Sequence, residues 1–368
     1  MTKVRHVIGI SGGKDSSALA VYLNQKYPGL PLEYYFCDTG KELDETYELI
    51  ENIETRLGVS VQKLNSASKS SKNPFDYFHQ LYGGFLPSSK ARWCTKKLKL
   101  EPFESYVGND PVISYVGIRG DEDREGYISK KSNIQSIFPF RKNIWSEDVI
   151  KLVLANNKIE IIAQYYNDLN LNGKKDRILE VVYSPLSLSH SQTEKLNTLL
   201  DLGVKEFNQV TFRFIKEFTE YPLSKVEEFP LVENEDIKVR DDIFALLRNS
   251  GVGVPKYYKE KAFEVNGKSG VYARSRSGCF FCFFQQKIEW VWLYEQHPNL
   301  FQKAMEYEKE GYSWIDNETL LELIKPERIE QIKEEYLVRV KKIKNKKSSY
   351  LVDILEDAEG EGCAACFI

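Results

Sequence analysis

Three groups of residues could do chemistry. The first is Ser11-Gly12-Gly13-Lys14-Asp15-Ser16-Ser17, which follows the apolar run Val7-Ile8-Gly9-Ile10 and precedes Ala18, Leu19, Val21, Tyr22 and Leu23 at helical spacing. A strand, a tight glycine turn and a helix are expected there. Glycines let successive backbone N–H groups converge on one anion, and the new helix adds its positive end, so the turn is suited to phosphate. It is not a Walker A loop, because Asp15 follows Lys14, and no Gly-x-Gly-x-x-Gly fingerprint is present. The second group is the cysteines: Cys279-x-x-Cys282, a terminal Cys363-x-x-Cys366, and the single Cys94 among Arg92, Trp93, Lys96 and Lys97. Two thiolates two residues apart can grip a metal or cluster, and neighbouring cations favour the thiolate. The third is Arg119 and Arg124, whose forked guanidiniums suit phosphate oxygens.

The elements that must position these groups alternate. Leu32 to Cys37 reads as a second strand, ending in Asp38-Thr39-Gly40, and Leu43, Tyr47, Ile50, Ile53 and Leu57 mark one face of the helix after it. A third strand, Ile113 to Arg119, contains Gly117 and closes on a charged loop. Strand-helix-strand order predicts an α/β fold with a parallel sheet flanked by helices, its ligands at the carboxyl ends of the strands. That placement sets Asp38, Thr39, Gly117, Arg119 and Arg124 on the side of the glycine turn. A solvated charged loop would also account for the arginines, and an amphipathic helix with a buried thiol would account for Cys94.

The Ser-Gly-Gly-Lys-Asp-Ser run resembles the PP-loop of the N-type ATP pyrophosphatases. Asp38 to Tyr47, Arg92 to Phe103, Gly117-Ile118-Arg119 and the Cys279/Cys282 pair resemble the phosphoadenylylsulfate reductase-like branch, within which the chain with its inserted segment is most similar to the ATP pyrophosphatase subunits of DNA phosphorothioation systems. The resemblance covers residues 5 to 140 and 240 to 310. It implies that Ser11, Gly12, Gly13, Asp15, Ser16, Ser17, Asp38, Thr39, Gly117 and Arg124 hold ATP and Mg²⁺. Lys14, Asp15, Arg119 and Lys96 would act on the phosphates. Cys94, Cys279 and Cys282 would ligate an iron–sulfur cluster of the 4Fe–4S type; the fourth ligand is then Cys37, Cys363 or Cys366, an open iron is left for sulfide, or the metal is zinc. Cys363 and Cys366 would relay sulfur, although the tail lacks the short Glu-Cys-Gly context of the reductases. The implied activity is cleavage of ATP to AMP and pyrophosphate, activating a DNA backbone phosphate for sulfur from a cysteine desulfurase within a defence complex. The alternative is a phosphoadenylylsulfate or adenylylsulfate reductase.

The 368 residues carry 51 Lys and Arg against 54 Asp and Glu, so nucleic-acid contact must rest on local patches rather than on overall basicity. No apolar run is long enough to span a membrane and no signal peptide is recognisable, and six cysteines in a chain this long do not form a secreted disulfide framework. A cytoplasmic protein is expected. The segments read as a nucleotide-binding α/β region at 1–140, an inserted helical subdomain at 141–240, a cysteine-pair and helical region at 241–345, and a flexible acidic tail at 346–368.

Overall fold

A computed structural model describes residues 3–122, 129, 131–171 and 173–345. Arg124, Cys363, Cys366 and the 346–368 tail lie outside the described residues. The chain runs through β1 (Arg5–Gly9), α1 (Lys14–Lys26), β2 (Leu32–Cys37), α2 (Asp44–Leu57), β3 (Val61–Leu64) and α3 (Pro74–Leu81). A short helix α4 (Trp93–Thr95), a π-helical turn (Lys96–Leu100) and α5 (Glu101–Val107) follow, then β4 (Val112–Tyr115) and β5 (Ile134–Ile137). Five strands form one parallel sheet in the order β3-β2-β1-β4-β5, flanked by helices. The chain fills one side of β1 and then returns to fill the other.

The described residues form two compact units, each assembled from separated stretches. One comprises the described residues of Met1–Gly9, Tyr22–Glu33 and Val107–Ile243. Here β4 pairs in register with β1 (Arg5↔Val112 to Ile8↔Tyr115) and with β5 (Val112↔Ile134 to Tyr115↔Ile137). These strands are buried along nearly their whole length, as parallel strands covered on both faces must be. The segment after Phe140 is helical: α6 (Glu147–Val153), α7 (Ile159–Asn167), α8 (Lys175–Tyr183), α9 (Gln192–Leu202) and α10 (Val204–Phe218). A buried polar chain fixes it. Trp145 Nε1 donates to Asn208 Oδ1 (2.8 Å), Asn208 Nδ2 to the Asn234 carbonyl (3.3 Å), and Asn234 Nδ2 to the Pro139 carbonyl (2.9 Å).

The other unit comprises the described residues of Ile10–Val21, Tyr34–Tyr106 and Phe244–Ile368. Its later part contains α11 (Arg240–Asn249, shared with the first unit), the hairpin β6 (Lys261–Val265) and β7 (Lys268–Tyr272), and α12 (Lys287–Gln296), α13 (Pro298–Met305), α14 (Leu320–Leu323) and α15 (Pro326–Asn345). The hairpin turns on Asn266-Gly267, both at positive φ, the backbone a tight hairpin needs. One aromatic core draws on both halves of this unit: Phe75 lies 4.6 Å from Phe281, and Phe281 stacks on Trp314 at 4.6 Å. Residues near 75 are thereby tied to the cysteine pair and the carboxyl-terminal helices.

Candidate functional site

The glycine turn lies in the second unit. Gly12 takes φ +74°, and a Cβ there would stand 2.2 Å from Thr46 Cγ2. Glycine is required twice over, by backbone conformation and by space. At Gly13 a Cβ would meet Ser277 Oγ at 2.7 Å. Hydroxyl groups line the backbone amides: Ser11 N donates to Ser16 Oγ (3.1 Å), Gly13 N to Ser11 Oγ (3.4 Å) and Lys14 N to Tyr258 OH (3.3 Å). Ser17 Oγ is buried with no hydrogen-bond partner among the described residues. These donors crowd at the first turn of α1, whose dipole favours an anion. Lys14 and Asp15, the expected catalytic pair, are both buried and meet each other, Nζ to Oδ2 at 3.2 Å.

The loop after β2 forms the next wall. Thr39 Oγ1 donates to Glu42 Oε1 (2.6 Å) and lies 3.2 Å from Cys279 Sγ. Tyr47 OH reaches both Asp38 Oδ1 (2.9 Å) and Glu42 Oε2 (3.2 Å). An isolated bridge joins Glu42 to Cys279, and Phe280 N donates to the Lys41 carbonyl at 2.8 Å. Burial pushes the Glu42 carboxyl up, its Thr39 hydrogen bond opposing. Burial, with the Glu42 charge next, pushes the Cys279 thiol well above its usual range. Cys279 is thus a protonated thiol in a hydrogen-bonded corner.

Residues far along the chain complete the turn. Tyr257 OH donates to the Gly12 carbonyl at 2.6 Å, and Lys14 Nζ lies 5.3 Å from the centre of the Tyr258 ring. Arg274 is 2 % exposed; its Nη2 donates to the Cys279 carbonyl (3.2 Å) and its N–H to the Tyr257 carbonyl (3.0 Å). Its Nε and Nη1 are buried without a hydrogen-bond partner among the described residues. In the sequence, Tyr257, Tyr258, Arg274 and Ser277 read only as the approach to the cysteine pair. No spacing rule joins them to a loop some 245 positions away.

Other expected residues are placed differently. Arg119 belongs to the first unit, where its guanidinium is buried and committed to carboxylates: Nε to Asp121 Oδ1 (2.8 Å) and Nη1 to Glu122 Oε1 (2.7 Å). The open phosphate clamp expected of it is replaced by an internal ion-pair group. Gly117 is buried just past β4. Lys96 is exposed at the start of the π-helical turn, and Lys97 pairs with Glu101 at 2.8 Å. Cys37 Sγ donates to the Lys99 carbonyl (3.6 Å), and burial pushes its thiol up to about 12. Cys94 and Cys279 pack against the same aromatic core. Among the described residues, however, no group of three or more His, Cys, Asp or Glu side chains is arranged to hold a metal ion. Cys94, Cys279 and Cys282 therefore do not form a ligand set among themselves. No described helix is long and apolar enough to cross a membrane.

Sheet, glycine turn and hydroxyl-lined helix start define an α/β protein whose turn at Ser11 to Ser17 presents backbone amides at the start of a helix. Residues 5–169 match the family profile described as the phosphoadenosine phosphosulfate reductase domain. The tRNA-specific 2-thiouridylase MnmA of Haemophilus ducreyi is 29 % identical over 191 residues, covering 46 % of this chain and 48 % of that protein. Its counterpart from Histophilus somni is 26 % identical over 263 residues, covering 69 % and 64 %. An uncharacterized protein of Methanocaldococcus jannaschii is 31 % identical over 153 residues, 38 % of this chain and 30 % of that one. The chain thus spans about a third to a half of the first relatives it matches. These similarities support the PP-loop superfamily and point, at the coarse level, to an ATP-using enzyme of sulfur transfer.

Proposed function

We propose that the protein is an ATP pyrophosphatase that activates a nucleic-acid phosphate for sulfur insertion, with DNA as the acceptor, as in phosphorothioation linked to antiphage defence. The observation that carries the nucleotide half is the turn from Ser11 to Ser17. Its amides are met by hydroxyls at the long hydrogen-bond distances of 3.1 to 3.4 Å, partners that a phosphate oxygen can replace. In this reading the triphosphate, with its Mg²⁺, lies across the first turn of α1, and Lys14 turns from Asp15 toward the phosphates. A non-bridging oxygen of the acceptor phosphate attacks the α-phosphorus, the bond to the β-phosphate breaks, and pyrophosphate leaves. A thiol attacks the inner sulfur of the cysteine desulfurase persulfide, the S–S bond breaks, a disulfide forms and sulfide is released; the sulfide then attacks the acceptor phosphorus and AMP departs. Fixed backbone dipoles and the buried Lys14 ammonium stabilise the charge that grows on the phosphates. Sulfur transfer in the named relatives and the reductase-type domain support this class of chemistry.

The test is product analysis of α-labelled ATP with Mg²⁺, with and without DNA and a cysteine desulfurase. AMP with pyrophosphate, abolished in Asp15→Ala, is the expected result. ADP as the product overturns the proposal, as does conversion of adenylylsulfate to sulfite and AMP by a thiol reductant, which identifies a reductase.

A further inference from the structure

A cationic and aromatic group on the second unit has no part in the nucleotide site just described. The Phe284 ring carries two guanidiniums, Arg92 at 4.9 Å and Arg276 at 6.0 Å from its centre, and the Phe283 ring lies 4.3 Å away. Both phenylalanines are only half-buried, and Arg92 is exposed. Lys90, Arg92 and Lys96 are exposed within seven positions, and none has a carboxylate partner among the described residues.

We propose that Arg92, Arg276 and Phe284 form a docking surface for single-stranded nucleic acid, the guanidiniums holding the backbone while an unpaired base stacks on the ring. Guanidiniums and aromatic faces together fit a strand whose bases are free, whereas a duplex hides its base faces. The position of the surface also fits an acceptor. Ser277, the residue next to Arg276, is the one that crowds Gly13 in the phosphate loop, and Cys94 lies two positions from Arg92. A strand held here enters beside both the nucleotide phosphates and the thiols. The inference rests on the reading of the acceptor as nucleic acid and specifies the form in which that acceptor is held.

The experiment measures fluorescence anisotropy of a short labelled oligonucleotide of mixed sequence with the full chain, across a series of salt concentrations and without nucleotide. Single-stranded and duplex forms are compared. The single strand is expected to bind more tightly than the duplex. Phe284→Ala should weaken it about fivefold or more, the loss of one stacked base. Arg92→Ala should lower the slope of log affinity against log salt by about 0.7, one phosphate contact on a single strand. Duplex binding as tight as single-strand binding, or wild-type affinity and slope in both variants, overturns the proposal. AMP formation from ATP with saturating DNA and the cysteine desulfurase, measured on the same preparations, should be unchanged in both variants. It separates the two questions: a chain that makes AMP but ignores the strand loses only the docking surface, and one that makes no AMP loses the parent reading.

Discussion

Replacing Gly12 with alanine tests whether the phosphate loop is shaped by its neighbour Thr46 as well as by its own backbone. Two costs are expected. An alanine held at φ +74° pays about 1–2 kcal/mol for a left-handed conformation. Its Cβ, 2.2 Å from Thr46 Cγ2, adds an overpacking cost of about 1–3 kcal/mol, because Thr46 is fully buried and cannot swing aside. Gly12→Ala should therefore destabilise the protein by about 2–5 kcal/mol. Thr46→Ser removes the obstructing methyl and by itself costs about 1 kcal/mol of buried apolar surface. In that background Gly12→Ala should cost only the backbone part, about 1–2 kcal/mol, so the two substitutions couple favourably by about 1–3 kcal/mol. Urea unfolding of the wild type, both single variants and the double variant measures this coupling. Additive costs, agreeing within about 0.5 kcal/mol, would refute the steric argument and leave backbone conformation as the sole reason for the glycine.

Three further outcomes are expected. Tyr257→Phe removes the donor to the Gly12 carbonyl and should cost about 1–3 kcal/mol in urea unfolding, with weaker ATP binding by calorimetry, since a buried acceptor is left unpaired. His6 is buried against Tyr115 OH at 2.8 Å, and burial, the largest influence, lowers its pKa to about 4. The unfolded chain takes up that proton near pH 6.5 and the folded chain does not, so the stability present above pH 6.5 should fall by about 3 kcal/mol as pH drops towards 4. His6→Gln should flatten that part of a pH series of unfolding midpoints. Arg119→Gln breaks the buried ion pair with Glu122 and should destabilise by about 3–5 kcal/mol, with much of the loss recovered in Arg119→Gln/Glu122→Gln. A full loss of AMP formation with unchanged unfolding would instead make Arg119 a phosphate ligand.

Local pattern determined a good deal of this protein. Apolar runs and a glycine turn located β1, the loop, α1 and β2, and period-3.6 spacing located α2 to within a few residues. Those signals lie within one element and its neighbour. Others were weak: β3 and β5 are four residues long, too short for periodicity to register, while the β6–β7 hairpin carried a usable mark in Asn266-Gly267 that an aromatic-rich setting obscured. The loop's own residue types announced a phosphate site without the rest of the chain. Only tertiary structure decided what encloses it. Tyr257, Tyr258 and Ser277 reach the loop because the aromatic core around Phe75, Phe281 and Trp314 folds the distant segments together, and packing across hundreds of positions leaves no periodic trace. Burial likewise decided charge. Asp121 and Glu122 close on Arg119, and burial raises the pKa of both Glu42 and Cys279 in one corner, outcomes set by which groups share a low-dielectric interior rather than by their identities.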